Sequence, residues 1–235
     1  MQDLSGAFAA AFGLIWGLDA DLIEIVLLSL RVSLTAVVIA CVVGLPLGAM
    51  LAVTRFPGRQ LVILLVNALM GLPPVVVGLL VYLMLSRSGP LGVFGLLYTP
   101  TAMIIAQTLL VLPIVAALTR GLIEQIAGEY DEQLRAMGMR PAAMVPTLLF
   151  DARYGLLTVV LAGLGRALAE VGAVIIVGGN IDHVTRVMTT AIALETSKGN
   201  LALALGLGLV LLLLAMLINA AVLGLRATAK RMAYG

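Results

Sequence analysis

Five long apolar segments alternate with short polar ones along this chain of 235 residues. A helix needs about 20 apolar residues to cross the hydrocarbon core of a bilayer. We therefore predict five spanning helices, at residues 32–53, 61–85, 101–118, 156–177 and 201–225. A further apolar segment, residues 7–18, is too short to span, and its aromatic residues share one helical face. That pattern predicts an N-terminal helix lying in the membrane interface.

The second and third predicted spans contain residues that interrupt a plain membrane helix. Gly71 to Pro74 must break the hydrogen-bond ladder of the second span, and Pro113 is expected to interrupt the third. Such breaks are tolerated where protein or a watery cavity covers the freed carbonyls. Asn67 and Gln107 are the amide side chains of these two spans. Two interpretations stay open for these features, a path through the protein and a structural kink.

A polar island, Arg120 to Arg153, separates the third and fourth spans and holds nine of the chain's 26 charged residues. Apolar side chains recur at spacings of three and four from residue 123 to 137, which predicts an amphipathic helix. Gly138 is predicted to cap its C-terminal end. Pro141 suits the first turn of a following helix, where its missing N–H is no loss. The sequence thus predicts two helices joined by a turn on the membrane surface.

The composition excludes a soluble domain, because 62% of the residues are hydrophobic and only 11% are charged. We expect a single transmembrane domain, residues 1–235, since no repeat or linker divides the chain. Cys41 and His183 are the sole residues of their types, so one chain cannot build a Cys/His metal cluster. A P-loop motif is missing, and the basic residues are spread along membrane edges, so we expect neither ATP hydrolysis by that route nor nucleic-acid binding.

Basic residues are distributed unevenly between the two sides of the predicted membrane. Nine lie on the side of the polar island and the C-terminus, and three lie on the other, namely Arg87, Arg186 and Lys198. Lys and Arg concentrate in short cytoplasmic loops. We therefore predict a cytoplasmic polar island, a cytoplasmic C-terminus and an external N-terminus.

The fourth predicted span contains two opposite charges four residues apart, Arg166 and Glu170. On a continuous helix they would share one face, and charges in a membrane are expected to face the bundle interior and to pair. A purely structural ion pair and a role in lining or gating a path both remain open.

Two stretches resemble ABC importer permeases. The sequence Glu132, Gln133, Leu134 and then Gly138 resembles their Glu-Ala-Ala-x-x-x-Gly loop, with Gln and Leu in place of the two alanines. Residues 165–173 resemble the Gly-Arg-x-x-x-Glu-x-Gly-Ala signature of molybdate and tungstate permeases, and residues 179–181 resemble its Gly-Asn-Ile end. The tungstate branch is the more similar of the two.

This resemblance implies the permease-type fold and two sets of functional residues. Residues 120–155 would form the cytoplasmic loop that docks on an ATPase, with its contacts among Glu129, Glu132, Gln133, Leu134, Arg135, Gly138 and Pro141. The pathway or its gate would involve Asn67, Gln107, Arg166, Glu170, Gly178, Gly179 and Asn180.

The resemblance also implies a function and its partners. The chain would be a multi-pass permease subunit in a bacterial or archaeal plasma membrane, importing tungstate or molybdate with a second copy of itself. A cytoplasmic ATPase dimer would hold ATP and Mg, and an external oxyanion-binding protein would deliver the anion. This chain itself would carry no cofactor and would not be an enzyme. The alternative is a secondary transporter or membrane-embedded enzyme that uses Arg166 and Glu170 as a charge relay.

Overall fold

The computed structural model describes residues 4–17, 19–136 and 141–234, and helices make up most of these ranges. Side chains are described there except at positions 4, 5, 7, 10, 14, 129–136, 141, 142, 223 and 225–234. The α-helices are α1 (Leu4–Trp16), α2 (Ala20–Val53), α3 (Arg59–Met70), α4 (Pro74–Leu85), α5 (Pro100–Ala136), α6 (Pro141–Asp151), α7 (Arg153–Leu168), α8 (Gly172–Gly178), α9 (Met188–Lys198) and α10 (Leu201–Tyr234). A short 3-10 helix, Gly92–Phe94, lies between α4 and α5.

The predicted all-α membrane fold is confirmed. Three helices, α2, α5 and α10, are each long and apolar enough to cross a membrane. Two bent pairs of helices, α3 with α4 and α6 with α7, are also long and apolar enough if each pair counts as one span. The described residues then contain up to five candidate spans. The break predicted within the second span is present, because α3 ends at Met70 and α4 begins at Pro74.

The third span and the first helix of the polar island are one continuous helix, α5, of 37 residues. The predicted interruption at Pro113 is wrong, since this proline lies inside the helix. An ion pair between Arg120 and Glu124, one turn apart, supports the helix where the apolar segment meets the polar one. Gly138 lies outside the described residues, and Pro141 begins α6 as predicted.

The predicted fourth span is two helices, so the expectation that Arg166 and Glu170 share one helical face is wrong. Helix α7 ends at Leu168 and α8 begins at Gly172. At this break the Glu170 side chain accepts a hydrogen bond from the backbone N–H of Ala173 at 2.9 Å. A side chain that bonds the backbone in this way competes with helical hydrogen bonds.

Other boundaries also differ from the prediction. Helix α2 begins at Ala20, well before residue 32, because Asp19 Oδ1 accepts the N–H of Leu22 and caps the helix. The predicted loop 178–200 contains α9. The N-terminal helix is present as α1, whose Ala11 is buried while Trp16 is 90% exposed. Its placement in the membrane interface remains a prediction.

The chain forms two compact units, each built from separated segments. The first unit comprises Met1–Thr35, Pro73–Gln107 and Ala167–Ile218. Its core includes Leu22, Ile25, Met188, Ala191 and Leu207, which belong to α2, α9 and α10.

The second unit comprises Ala36–Leu72, Thr108–Arg166 and Asn219–Gly235. Glycines allow its helices to approach closely. A Cβ atom at Gly44 of α2 would lie 2.9 Å from Val115 Cγ1 of α5, and one at Gly163 of α7 would lie 3.0 Å from Val111 Cγ1. Small residues at helix contacts are the usual basis of helix packing in membranes.

Candidate functional site

The residues predicted to dock on an ATPase lie mainly at the end of α5. Its last eight positions, 129–136, include Glu129, Glu132, Gln133, Leu134 and Arg135. The backbone is therefore helical here, as a docking helix requires.

A three-residue charge cluster lies one to two turns before this segment, in the second unit. Glu124 of α5 lies 2.7 Å from Arg59 and 3.1 Å from Arg120. Arg59 Nε also donates a hydrogen bond to the carbonyl of Leu51 near the end of α2, at 2.8 Å. Arg59 and Glu124 thereby join the end of α2 and the start of α3 to α5. The sequence analysis had counted Arg59 only as a basic turn residue.

Two predicted pathway residues, Gln107 and Glu170, line one small cavity in the first unit. Both are buried, with 3% of each residue exposed. Gln107 Nε2 donates a hydrogen bond to the carbonyl of Ala167 at 3.1 Å, and Thr189 Oγ1 donates one to the carbonyl of Glu170 at 2.8 Å. These contacts connect α5 and α9 to the break between α7 and α8.

The same cavity has polar lining that the sequence analysis missed, from Ser29, Ser33 and Thr189. Ser29 Oγ accepts a hydrogen bond from the backbone N–H of Met188 at 2.7 Å and donates one to the carbonyl of Ile25 at 2.6 Å. A signal for the two serines was available. They are four residues apart in α2, which places both on one helical face.

The volume of this cavity decides what it can hold. It measures about 10 Å³, which is about the space that one water molecule requires. A tetrahedral oxyanion is larger than a water molecule and does not fit. In this conformation Gln107 and Glu170 therefore belong to a closed, hydrogen-bonded part of the first unit.

The predicted Gly-Gly-Asn segment begins at Gly178, the last residue of α8, and the chain turns sharply after it. Gly179 and Asn180 both have positive φ angles, 71° and 50°, a region that few residues other than glycine and asparagine adopt. The amide of Asn180 fixes the turn, because its Oδ1 accepts a hydrogen bond from Thr190 Oγ1 at 2.8 Å. Gly178 packs against Met103, with 3.0 Å between a Cβ built on the glycine and the Met103 side chain.

The turn continues to His183, which contacts the start of α2. His183 Nδ1 lies 2.8 Å from Glu24 Oε2. Hydrogen bonding to Glu24, together with the charges of Glu24, Asp182 and Asp21, raises the pKa of His183 above its usual range. Arg186 lies beside the same group and pairs with Asp182 at 2.7 Å.

The other two pathway candidates belong to the second unit. Asn67 lies on an exposed face of α3, and Arg166 is half-buried in the last turn of α7. The structure therefore brings Gln107 and Glu170 together in the first unit, with Gly178 at the end of α8 and with Gly179 and Asn180 in the turn after it.

Three long apolar helices and two bent helix pairs, among the residues that the structure describes, define a protein that crosses the membrane several times. Residues 44–229 match the family described as binding-protein-dependent transport system inner membrane component. The chain belongs to this family.

Three relatives are similar to this chain over most of their length. The tungstate uptake system permease protein TupB of Peptoclostridium acidaminophilum is 41% identical over 96% of this chain and 99% of that protein. A probable anion ABC transporter permease protein of Haloferax volcanii is 42% identical over 77% of this chain and 80% of that protein. The TupB protein of Campylobacter jejuni is 39% identical over 83% and 82%.

The chain is therefore a permease subunit of a binding-protein-dependent ABC importer, as the resemblance implied. It is a component of a transporter, and its family works with an ATPase and a binding protein. The alternative of a secondary transporter or membrane-embedded enzyme has no support from this family.

Proposed function

We propose that this permease imports tungstate, with molybdate as the closest competing substrate. The observation that carries the proposal is the 41% identity to a tungstate permease, which extends over 96% of this chain and 99% of the relative. Similarity over 96% of the chain extends across the predicted spans, the polar island and the Gly-Gly-Asn turn.

The driving force in this proposal comes from a separate ATPase subunit that holds ATP and Mg. Two copies of this chain enclose the path, and each docks one ATPase subunit through residues 129–143. The supporting features are the helical end of α5 and the Arg59–Glu124–Arg120 cluster beside it. An external binding protein delivers the anion, with the N-terminus outside and the C-terminus in the cytoplasm.

Arg166 and Glu170 have different roles in this proposal. Arg166 supplies a positive charge near the path, which favours an anion in a low-dielectric region. Glu170 holds the chain between α7 and α8 in this closed arrangement, because its side chain accepts a hydrogen bond from the N–H of Ala173. Arg166→Met should then reduce uptake while the protein still folds. Normal uptake by that variant would contradict the role of Arg166.

The experiment for the overall function is uptake by proteoliposomes that contain the permease, its ATPase and its binding protein. We expect ATP-dependent accumulation of tungstate, with competition by molybdate stronger than competition by sulfate. A matched preparation without the ATPase subunit should accumulate none. Accumulation without the ATPase, or no tungstate uptake with all subunits present, would overturn the proposal.

A further inference from the structure

A second, larger cavity lies in the first unit, between the end of α4 and the start of α5. Its volume is about 610 Å³, within the range of about 300–1,000 Å³ that is usual for ligand pockets. Nine residues line it, and none of the nine is acidic. The polar ones are Tyr82, Ser86, Arg87, Ser88 and Tyr98.

Arg87 is the cation of this cavity. Among the basic side chains of the first unit, Arg186 is paired with Asp182 at 2.7 Å and Lys198 with Glu195 at 2.9 Å. Arg87 has no acidic partner among the described residues. A guanidinium group offers several N–H donors in a plane, and this arrangement matches the oxygens of tetrahedral anions.

Hydroxyl groups accompany this cation. Ser86 Oγ donates a hydrogen bond to the carbonyl of Leu83 at 3.1 Å and lies 3.4 Å from Ser88 Oγ. The rings of Tyr82 and Tyr98 meet edge to face, with 6.4 Å between their centroids. Hydrogen bonding to Tyr82 raises the pKa of Tyr98. The cavity thus combines a cation with the hydroxyl groups of serine and tyrosine side chains.

Tyr98 connects this cavity to the Gly-Gly-Asn turn. Its backbone N–H donates to the carbonyl of Val177 at 2.9 Å, and a Cβ atom at Gly179 would lie 2.9 Å from Tyr98 Cδ1. Tyr98 has a φ angle of 62°, which is rare for a bulky residue and is found mainly where surrounding structure enforces it. The glycine is thus required for the tyrosine to take its place between the cavity and the turn.

We propose that this cavity, the Arg87 cavity, binds a tetrahedral oxyanion dianion as it enters the permease from the external side. The assignment to the transported anion rests on the proposed function and on the predicted orientation. One arginine in a wet cavity gives weak binding, which suits a site that must release its ligand inward.

The test measures accessibility of a cysteine in the cavity and requires no transport. The importer carrying Cys41→Ala and Ser88→Cys is placed in nanodiscs of zwitterionic phospholipid, and the rate of modification by an anionic thiosulfonate is measured. We expect this anionic reagent to react about tenfold faster than a cationic analogue, because one nearby charge attracts one reagent and repels the other. Tungstate should slow the reaction relative to chloride at equal ionic strength.

Arg87→Gln should remove both the charge preference and the protection by tungstate, whereas Arg87→Lys should retain the charge preference. Arg31→Gln is the matched control, because Arg31 is an exposed arginine of the same unit that is not among the residues lining this cavity. It should leave the protection unchanged. The charge preference should shrink at about 1 M salt, where the Debye length is about 3 Å.

Three results would overturn the inference: no protection by tungstate beyond that by chloride, full protection in Arg87→Gln, or loss of protection in Arg31→Gln. Anionic phospholipid added to the nanodisc separates the two sources of such an anion. If lipid alone protects Ser88→Cys through Arg87, the cavity binds a headgroup and the assignment to the transported anion fails. Uptake by the wild-type complex is scored separately, so failure of the proposed function is distinguishable from failure of this site.

Discussion

Gly48 provides the most direct test of how the second unit is packed. It lies in α2 and faces α5, and a Cβ atom built there would collide with the carbonyl oxygen of Ala116 and lie 2.8 Å from Thr119 Cβ. In an open position, replacing a helical glycine with alanine stabilises a protein by about 0.5–1 kcal/mol. Here the added methyl group meets backbone, which cannot rotate away, and overpacking of this kind costs about 1–3 kcal/mol. We expect Gly48→Ala to be destabilising by about 2 kcal/mol.

Thermal unfolding of the purified protein, followed by circular dichroism, measures this effect. For a chain of this size, 1 kcal/mol shifts Tm by about 2–4 °C, so Tm of Gly48→Ala should fall by about 4–8 °C. Gly121→Ala is the matched control, because Gly121 lies in α5 of the same unit with no atom within 4 Å of a Cβ at that position. Its Tm should equal or slightly exceed that of the wild type. A Gly48→Ala protein that melts as high as the control would refute the close contact between α2 and α5.

Three further predictions follow from the charge pairs and the topology. Glu124→Gln should change the free energy of unfolding by less than about 1 kcal/mol, because the ion pairs of Glu124 are partly exposed. It should nevertheless lower the amount of anion taken up per ATP hydrolysed several-fold. An unchanged ratio of uptake to ATP hydrolysis would argue against a coupling role. Glu24→Gln should lower the pKa of His183, the only histidine, in an NMR titration. Because the wild-type pKa of His183 is raised, the stability that its pair with Glu24 contributes is complete below about pH 6.5 and disappears as the pH rises through the raised pKa. If His183 and Glu24 do not form this contact, Glu24→Gln will leave the stability unchanged at every pH. In a cysteine-free background, Gly128→Cys should be labelled from the cytoplasm and Ser197→Cys from outside, and the reverse pattern would invert the topology.

The sequence predicted features that depend on local chemistry. Gly71 to Pro74 breaks a span wherever it occurs, since proline lacks an N–H and clashes with the preceding turn. The start of α6 at Pro141 follows from the same chemistry. The spans themselves were predictable because the bilayer requires long apolar segments.

The break between α7 and α8 was not predictable from local sequence, because residues 169–171 include no proline or glycine. It depends on Glu170 bonding the N–H of Ala173 and on Thr189, 19 residues away, bonding the carbonyl of Glu170. The Arg87 cavity was missed for a similar reason. Its aromatic residues, Tyr82 and Tyr98, meet only after the chain folds back between α4 and α5. Contacts between polar residues that are distant in the sequence depend on the tertiary structure, and the hydropathy pattern does not predict them.

The length of α5 has a mechanical consequence. At 1.5 Å per residue its 37 residues extend about 55 Å, whereas the hydrocarbon core is about 30 Å thick. Pro113 does not divide this helix, so its part within the second unit, residues 108–136, can act as a single rod about 44 Å long. A tilt of about 10° about one end would displace the other end of such a rod by about 8 Å. If an ATPase docks at the charged end as proposed, movement imposed there would pass directly into the apolar part of the helix.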